Sequence, residues 1–393
     1  MGYFASMPRS NRRRLMAVTL GVLVGLVGVD LALGKLKAEE SKLWPPLGTF
    51  QDPALRVMLE KRLGRERVRA SGANDGFDAE LGWVTRPGAH KGALEEGWIN
   101  SIGARGKREY SPLPEPGRLR VVCVGDSFTF GSEVEDTHSW PARLEAADAS
   151  IEALNFGVGG YGTDQALLRL RRDACDLGAQ AVVTGLLLEN ILRNVNRLRP
   201  LLYADVTHPV VKPRFLLVGG ELELLPHPFP TRAGLLESAL AGELRGHVAE
   251  HEFWTASDPW PAFSNLARWW SARQDKVERN IPRLWQATED EPYRLTLALL
   301  EAMRDQALDC GAEHFAVILF LSRPVLESFK GQAPAWYQHL LADLAARGIT
   351  AIDLYAQFLQ AHASGDLYLQ THFTPAGNAL AAEAVRAWLA GVR

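Results

Sequence analysis

The strongest constraint on the fold is an alternation that begins at Leu119, where short apolar runs are separated by amphipathic stretches. Each apolar run is long enough for one buried strand, and each intervening stretch can form a helix. Such an alternation is typical of a parallel sheet covered by helices. The sequence therefore predicts an α/β fold, a flavodoxin-like three-layer sandwich with about five parallel strands. The predicted strands are Leu119–Val124, Ile151–Phe156, Ala181–Leu188, Phe315–Leu321 and Thr350–Leu354.

A break in this alternation extends from about residue 197 to residue 289, where a proline-rich stretch is followed by helical sequence. We interpret this segment as a mainly helical insertion. It holds five of the eleven tryptophans, Trp254, Trp260, Trp269, Trp270 and Trp285. Aromatic side chains near strand ends suit a lid or a platform for sugar rings or acyl chains, and the alternative is that they form the insertion's own core.

The amino-terminal region contains a run of 20 weakly polar residues, 15–34, whose only charged side chain is Asp30. This length is close to what crosses a bilayer, and we interpret the run as a transmembrane signal anchor. Arginines before the run slightly outnumber the lysines after it, which favours a cytoplasmic tail of residues 1–14 and an extracytoplasmic remainder. The expected location is the inner (cytoplasmic) membrane, with a single span. A cleaved signal peptide and a buried helix are the alternatives.

Two further regions complete the predicted domain organisation. Residues 35–117 are punctuated by proline and glycine and show little periodicity, which predicts a stalk and lead-in segment. Residues 118–393 are expected to form the catalytic domain, with the insertion inside it.

Composition excludes some classes of protein. The 393 residues include 43 basic and 46 acidic side chains, with a net charge of −3, so there is no basic footprint for nucleic acid. The three cysteines, Cys123, Cys175 and Cys310, are widely spaced and odd in number. They predict neither a disulfide framework nor a paired zinc site.

The sharpest local signal is the turn Gly125-Asp126-Ser127, which follows the first predicted strand directly. In a parallel sheet this turn places Ser127 at the carboxyl edge, where ligands bind. A hydroxyl at that edge can act as a nucleophile if a base removes its proton. An ordinary turn is the alternative, so the interpretation depends on finding the base.

A candidate base precedes the last predicted helix, at His372. Thr374 can cap that helix with Pro375 in its first turn, so His372 lies in the loop before the helix. An imidazole in such a loop can accept the proton of a serine and return it to a leaving group.

Together, these two motifs resemble the SGNH hydrolases, the GDSL-type esterases, over roughly residues 118–393 outside the insertion. The resemblance implies that Ser127 is the nucleophile and His372 the base, and that the N–H groups of Ser127 and Gly160 form part of an oxyanion hole. It also implies that Asn190 donates its side-chain amide there. Many relatives have Asn-Asp where this chain has Glu189-Asn190, so a shift of one residue would place Glu189 at that position instead. No cofactor or metal is implied.

The acid of the triad is missing from its usual place in this family, two or three residues before the histidine, where this chain has Leu369 and Gln370. Asp366, six residues before His372, is the candidate acid if the loop folds back. Gln370 could instead orient the imidazole, or a Ser–His dyad could act alone. Loss of a triad acid costs on the order of 10⁴ in turnover in other hydrolases.

Two other motifs compete with this interpretation. Gly157-x-Gly159-x-x-Gly162 matches a dinucleotide-binding turn, which would make the protein an NAD-binding oxidoreductase. The insertion contains His247-x-x-Glu250-His251, the pattern of an inverted zinc-protease motif, without an identifiable third ligand. Neither motif explains Ser127 and His372.

The sequence as a whole predicts a membrane-anchored serine esterase or O-acyltransferase that forms an acyl-enzyme on Ser127. By analogy with anchored SGNH proteins that modify surface polysaccharides, the expected substrate is an acyl ester, with O-acyl groups of an extracytoplasmic glycan favoured. The alternative from another class is a catalytically degraded glycan-binding or polysaccharide-assembly protein, which the missing acid permits. Neither a nucleic-acid partner nor a cofactor is expected.

Overall fold

The computed structural model describes residues 9–39, 75–91, 96–199, 202, 211–241, 243–254, 264–267, 269–270, 279–329, 335–362 and 365–392. The described strands are β1 (Asp75–Asp78), β2 (Gly82–Thr85), β3 (Gly88–Lys91), β4 (Glu96–Ile99), β5 (Leu119–Val124), β6 (Ile151–Asn155), β7 (Ala181–Leu187), β8 (Arg214–Val218), β9 (Glu221–Leu225), β10 (His314–Phe320) and β11 (Thr350–Asp353). The described α-helices are α1 (Arg9–Glu39), α2 (Ser127–Phe130), α3 (Trp140–Ala147), α4 (Thr163–Arg169), α5 (Asn190–Asn194), α6 (Arg232–Ala241), α7 (Leu244–Val248), α8 (Ile281–Gln286), α9 (Glu291–Asp309), α10 (Arg323–Ser328), α11 (Gln338–Ala346), α12 (Tyr355–His362) and α13 (Pro375–Val392).

The centre of the structure is a parallel sheet of five strands in the order β11–β10–β7–β5–β6. Numbered along the sheet domain and read from β6, this is the order 2-1-3-4-5 of flavodoxin-like folds. The predicted α/β sandwich is thus confirmed, and every strand end lies within one residue of its predicted position. The central strand β7 is buried along its whole length, which explains why it is a continuous apolar run rather than an alternating one.

Helices pack against this sheet in two groups. One group contains α3 and α13, which contact each other, and α3 also contacts β6. The other contains α9, which contacts β10 together with α4 and α5. One core cluster, which includes Trp140, Trp285 and Phe320, joins the sheet to both groups. The carboxyl ends of the strands are left for the loops that carry the candidate site.

The described part of residues 75–117 packs onto the sheet domain. Its two hairpins pair β1 with β2 and β3 with β4. The indole of Trp83 donates to the Gly159 carbonyl at 2.9 Å, and the Tyr161 hydroxyl donates back to the Trp83 carbonyl. Arg105 bridges to Asn155 at the open edge of β6, so this segment extends the sheet beside the candidate site.

The tryptophans of the insertion divide into buried and exposed ones. Trp254 and Trp285 are buried, and their indole N–H groups donate to the carbonyls of Leu192 at 3.0 Å and Leu188 at 2.9 Å. They therefore pack into the core of the sheet domain, which is neither the lid nor the separate insertion core that the sequence suggested. Trp270 is 58% exposed, and Trp260 lies outside the described residues.

The amino-terminal helix α1 contains the apolar stretch Arg14–Gly34, of which nothing is buried in the structure. By length and composition this stretch meets the requirements of a membrane anchor and of a signal sequence alike. Its lone charged residue inside the apolar run, Asp30, accepts hydrogen bonds from the Ser264 hydroxyl at 2.6 Å and the Leu266 N–H at 2.8 Å. Residues of the insertion therefore provide hydrogen-bond donors to the charged side chain of Asp30.

A disulfide joins Cys175 to Cys310, which the cysteine spacing did not predict. Cys175 lies in the turn that leads into β7, and Cys310 ends the helix that leads into β10. Because β7 and β10 are neighbours in the sheet, the two cysteines, 135 positions apart in the sequence, meet at the amino ends of these strands. Cys123 is buried with a free thiol.

Removing the disulfide with the double substitution Cys175→Ser and Cys310→Ser should lower the free energy of unfolding by about 2–4 kcal/mol, because the bridge restricts the unfolded chain. Urea denaturation of the full chain with and without dithiothreitol measures this effect. Reductant should destabilise the wild type and a Cys123→Ser control, and should leave the double variant unchanged. If all three respond equally, the disulfide does not exist.

Candidate active site

Ser127 is the first residue of the single-turn helix α2 and follows β5 through Gly125 and Asp126. Gly125 has a φ of 149°, and a Cβ there would lie 2.4 Å from Oγ1 of Thr129, so the tight turn requires glycine. The Asp126 carboxylate caps the helix by accepting the Phe128 N–H at 2.9 Å. This turn fixes the Ser127 hydroxyl at the carboxyl edge of the central sheet.

Asp126 is fully buried and belongs to the support of the turn. The Arg193 guanidinium lies 3.0 Å from its carboxylate and also donates to the Tyr161 carbonyl at 3.0 Å. Burial raises the pKa of Asp126, while the charge of Arg193 and a hydrogen bond from Asn190 oppose the rise. The pair ties the nucleophile's turn to α5 and to the loop after β6.

His372 lies in the loop before α13, and its Nε2 is 2.8 Å from Oγ of Ser127. The loop is a tight turn in which the Leu369 N–H donates to the His372 carbonyl at 2.8 Å. As expected from the sequence, Thr374 caps α13, since its hydroxyl accepts the Gly377 N–H at 3.2 Å. The structure thus brings together the two residues that the sequence singled out as nucleophile and base.

The Glu133 carboxylate contacts the other nitrogen of the imidazole. Its Oε1 is 2.9 Å from Nδ1 of His372, and its Oε2 accepts the N–H groups of Gln370 at 3.1 Å and Thr371 at 3.3 Å. Partial burial raises the pKa of Glu133, but the hydrogen bonds from His372 and Thr371 outweigh it and lower this pKa to about 2. The ionised carboxylate holds the proton on Nδ1, which leaves Nε2 to accept the proton of Ser127.

Asp366 does not take the place that the sequence suggested for it. Its carboxylate lies 2.9 Å from the Arg323 guanidinium, and 57% of its side chain is exposed. The carboxylate at the imidazole is instead Glu133, six residues after the serine, and Gln370 contributes only a backbone N–H to it. Sequence reasoning missed Glu133 because the family pattern places the acid before the histidine, whereas Glu133 and His372 are 239 residues apart.

The expected oxyanion-hole residues surround the same turn. Gly160 has a φ of 77° in the turn after β6, and within the described part of the chain neither its N–H nor that of Ser127 donates a hydrogen bond. Asn190 begins α5, and its amide bonds to the Asp126 carboxylate, while its Oδ1 is buried without a partner among the described residues. Glu189 accepts the Ser322 hydroxyl at 2.5 Å. The N–H groups of Ser127 and Gly160 are thus available to a developing oxyanion, whereas the Asn190 amide also bonds to Asp126.

The glycine motif that competes with this interpretation has a packing role. A Cβ at Gly157 would lie 2.2 Å from the Phe130 nitrogen, so the turn after β6 packs directly under α2. This close approach requires glycine without any dinucleotide.

The zinc-protease pattern is not continuous on one helix. α7 ends at Val248, and His251 lies in the 3-10 turn Ala249–His251. His247 packs on the Phe229 ring. Among the described residues no group of three or more His, Cys, Asp or Glu side chains is placed to hold a metal ion.

Comparison with known proteins gives a distant structural likeness. No protein-family model matches the chain, and no curated protein is significantly similar to it. A protein of the lipolytic G-D-S-L family from Desulfitobacterium hafniense is similar in structure over 69% of this chain and 99% of its own, with 14% identity and a TM-score of 0.33. A member of the same family from Veillonella parvula covers 68% of this chain and 96% of its own, with 12% identity and a TM-score of 0.32. Likeness at this level carries no functional information.

Glu133→Gln should lower the turnover of any reaction initiated by Ser127 by on the order of 10³-fold, because the imidazole loses the charge that orients it. The matched control is Asp366→Asn, which removes a carboxylate of the neighbouring loop and should change turnover by less than about twofold. Steady-state kinetics of the two variants give the comparison. The reverse ranking would restore Asp366 as the acid.

The pKa of Glu133 also predicts a pH dependence of stability. Because this pKa is about 2 in the folded chain against a reference of 4.5, ionised Glu133 stabilises the fold above pH 4.5, and the contribution disappears as the pH falls to 2. Glu133→Gln should therefore be less stable than the wild type at pH 7, by about 1 kcal/mol, with a difference that shrinks below pH 4.5.

Urea denaturation across a pH series measures this difference. Glu135→Gln, two residues away with 84% of its side chain exposed, is the control and should show no such trend. A difference between wild type and Glu133→Gln that is constant from pH 7 to pH 2 would contradict the assignment.

Proposed function

We propose that this chain is a serine esterase or O-acyltransferase. The observation that carries the proposal is the continuous line from Oγ of Ser127 to Nε2 of His372 at 2.8 Å and from Nδ1 to Glu133 at 2.9 Å. A hydroxyl, an imidazole and a carboxylate in this order are the parts that acyl transfer requires, whatever their order in the sequence.

In the proposed reaction His372 takes the proton of Ser127 as Oγ attacks the carbonyl carbon of an ester. The N–H groups of Ser127 and Gly160, with Asn190, bind the oxyanion of the tetrahedral intermediate. His372 then returns the proton to the leaving alcohol, and the acyl group stays on Ser127. A second attack, by water or by an acceptor hydroxyl that His372 deprotonates, releases it. Glu133 remains ionised and stabilises the imidazolium.

The proposed substrate is an O-acylated glycan. A cavity of about 1320 Å³ lies beside Glu133, and its lining mixes basic, acidic and aromatic side chains, among them Lys107, Glu135 and Tyr110. Charged side chains of both signs can donate hydrogen bonds to hydroxyl groups and accept them. Such a lining suits a ligand rich in hydroxyl groups better than a long apolar chain.

The proposed location is the outer side of the inner membrane, with α1 as an uncleaved anchor. The disulfide between Cys175 and Cys310 supports an oxidising compartment, since such bonds persist outside the cytosol. The partners of the chain are then the bilayer and the acyl ester, and the chemistry proposed for Ser127 uses no cofactor.

The alternative of a degraded glycan-binding protein depended on the missing acid. Glu133 provides a carboxylate at the imidazole, and Trp254 and Trp285, two of the tryptophans proposed for stacking, are buried. Both observations favour an active enzyme over a binding protein.

The test is hydrolysis of p-nitrophenyl acetate and of an O-acetylated oligosaccharide by the full chain in detergent. We expect turnover of both, labelling of Ser127 by a fluorophosphonate, and loss of activity and label in Ser127→Ala. Adding a hydroxyl-bearing oligosaccharide separates the two activities, because a transferase yields acylated acceptor in place of free acid. A folded protein with neither turnover nor labelling would contradict the proposal.

A further inference from the structure

The loop that carries Glu133 is held in an uncommon backbone conformation. Gly131, which ends α2, has a φ of 84°, and Glu133 has a φ of 70°, the one positive value among the described residues other than glycine. A side chain in this region is disfavoured by contact between its Cβ and the backbone, and it persists where surrounding contacts enforce it. The loop therefore needs an external support.

That support is the side chain of Arg105, which comes from the segment before the sheet domain. Its guanidinium donates to the carbonyls of Phe130 and Gly131, both at 2.5 Å, and of Val134 at 2.6 Å. Its Nε donates to the Asp136 carboxylate at 2.9 Å. These acceptors lie on both sides of Glu133, so a single side chain fixes both ends of the loop.

Arg105 is itself fixed. Its N–H donates to the Asn155 carbonyl at 2.8 Å at the edge of β6, and the Asn155 amide donates to the Phe130 carbonyl at 3.1 Å. The guanidinium lies 4.3 Å from the centre of the Phe130 ring, and only 1% of the side chain is exposed. Asp136 also accepts the Trp98 N–H at 3.0 Å. The support is thus anchored to the sheet and shielded from water.

We propose that Arg105 is a positioning residue for catalysis, which holds the Glu133 loop so that the carboxylate stays on Nδ1 of His372. It lies at the wall of the cavity beside Glu133 with 1% of its side chain exposed, touches none of the reacting atoms and acts through Glu133. The inference rests on the proposed function. It assigns the segment of residues 96–117, which carries Arg105, a role in positioning the site. A lysine cannot substitute, because an ammonium group lacks the planar fork that reaches several carbonyls at once.

The test is a double-mutant cycle between Arg105→Lys and Glu133→Gln. Arg105→Lys alone should lower kcat by about tenfold or more and leave KM within about twofold, since only 1% of the Arg105 side chain is exposed to the cavity. In the Glu133→Gln background the same substitution should lower kcat by less than about twofold, because the carboxylate that it positions is already absent. Equal losses in both backgrounds would overturn the proposal.

The matched control is Arg120→Lys. Arg120 is also fully buried and donates to the carbonyls of Ser111 at 2.9 Å, Leu177 at 2.7 Å and Leu113 at 3.0 Å, but it lies at the amino end of β5, away from Ser127. It should lose stability without a change in kcat. If Arg105→Lys does not fold, Asp136→Asn weakens the same support and should show the same dependence on Glu133.

A spectroscopic measurement separates this inference from the proposed function. The proton on Nδ1 of His372, bonded to a carboxylate, should give a downfield proton resonance that is lost in Glu133→Gln and in Arg105→Lys but kept in Arg120→Lys. This result in a protein without esterase activity would retain the positioning role and contradict the proposed function. The opposite result is an active wild type in which Arg105→Lys changes neither the resonance nor kcat. It would retain the proposed function and contradict the positioning role of Arg105.

Discussion

The hydrogen bond between the Glu133 carboxylate and Nδ1 of His372 is the interaction on which the candidate site depends. It joins two loops that lie near opposite ends of the sequence of the sheet domain. It also sets which imidazole nitrogen faces Ser127. Without it the ring could rotate or change tautomer, and the Ser127 hydroxyl would have no base. The site is therefore assembled by a contact between two loops and not by one local motif.

Around this contact the structure places two pairs of opposite charge that are largely shielded from water. Asp126 with Arg193, and Arg105 with Asp136, each place a guanidinium and a carboxylate together at the edge of the sheet. Buried pairs of this kind add little net stability, because the cost of removing both ions from water offsets their attraction. Their value here is geometric, since each guanidinium also binds backbone carbonyls and so fixes the loop that carries a functional side chain.

The central sheet could be predicted almost completely from the sequence, whereas the strand pairs β1–β2, β3–β4 and β8–β9 could not. Five apolar runs separated by helical stretches specify five buried parallel strands. Each strand and each helix can be identified from the periodicity of its own apolar residues. The turn at Ser127 and the loop at His372 could also be located, since tight turns need glycine and helix starts need capping residues. The disulfide and Glu133 could not, because each depends on which strands and loops become neighbours.

The position of Asp366 shows where this boundary lies. Asp366 was favoured because it is near His372 in the sequence, yet its carboxylate turns outward to Arg323. Glu133 is distant in the sequence and close in space, because the loops after β5 and before α13 meet at one edge of the sheet. The sequence by itself determined the strands, the turn that carries Ser127 and the loop that carries His372, all of which arise from local patterns. Only the tertiary structure decided that Glu133 contacts His372 and that Arg105 supports its loop, because pairing between distant loops follows from packing.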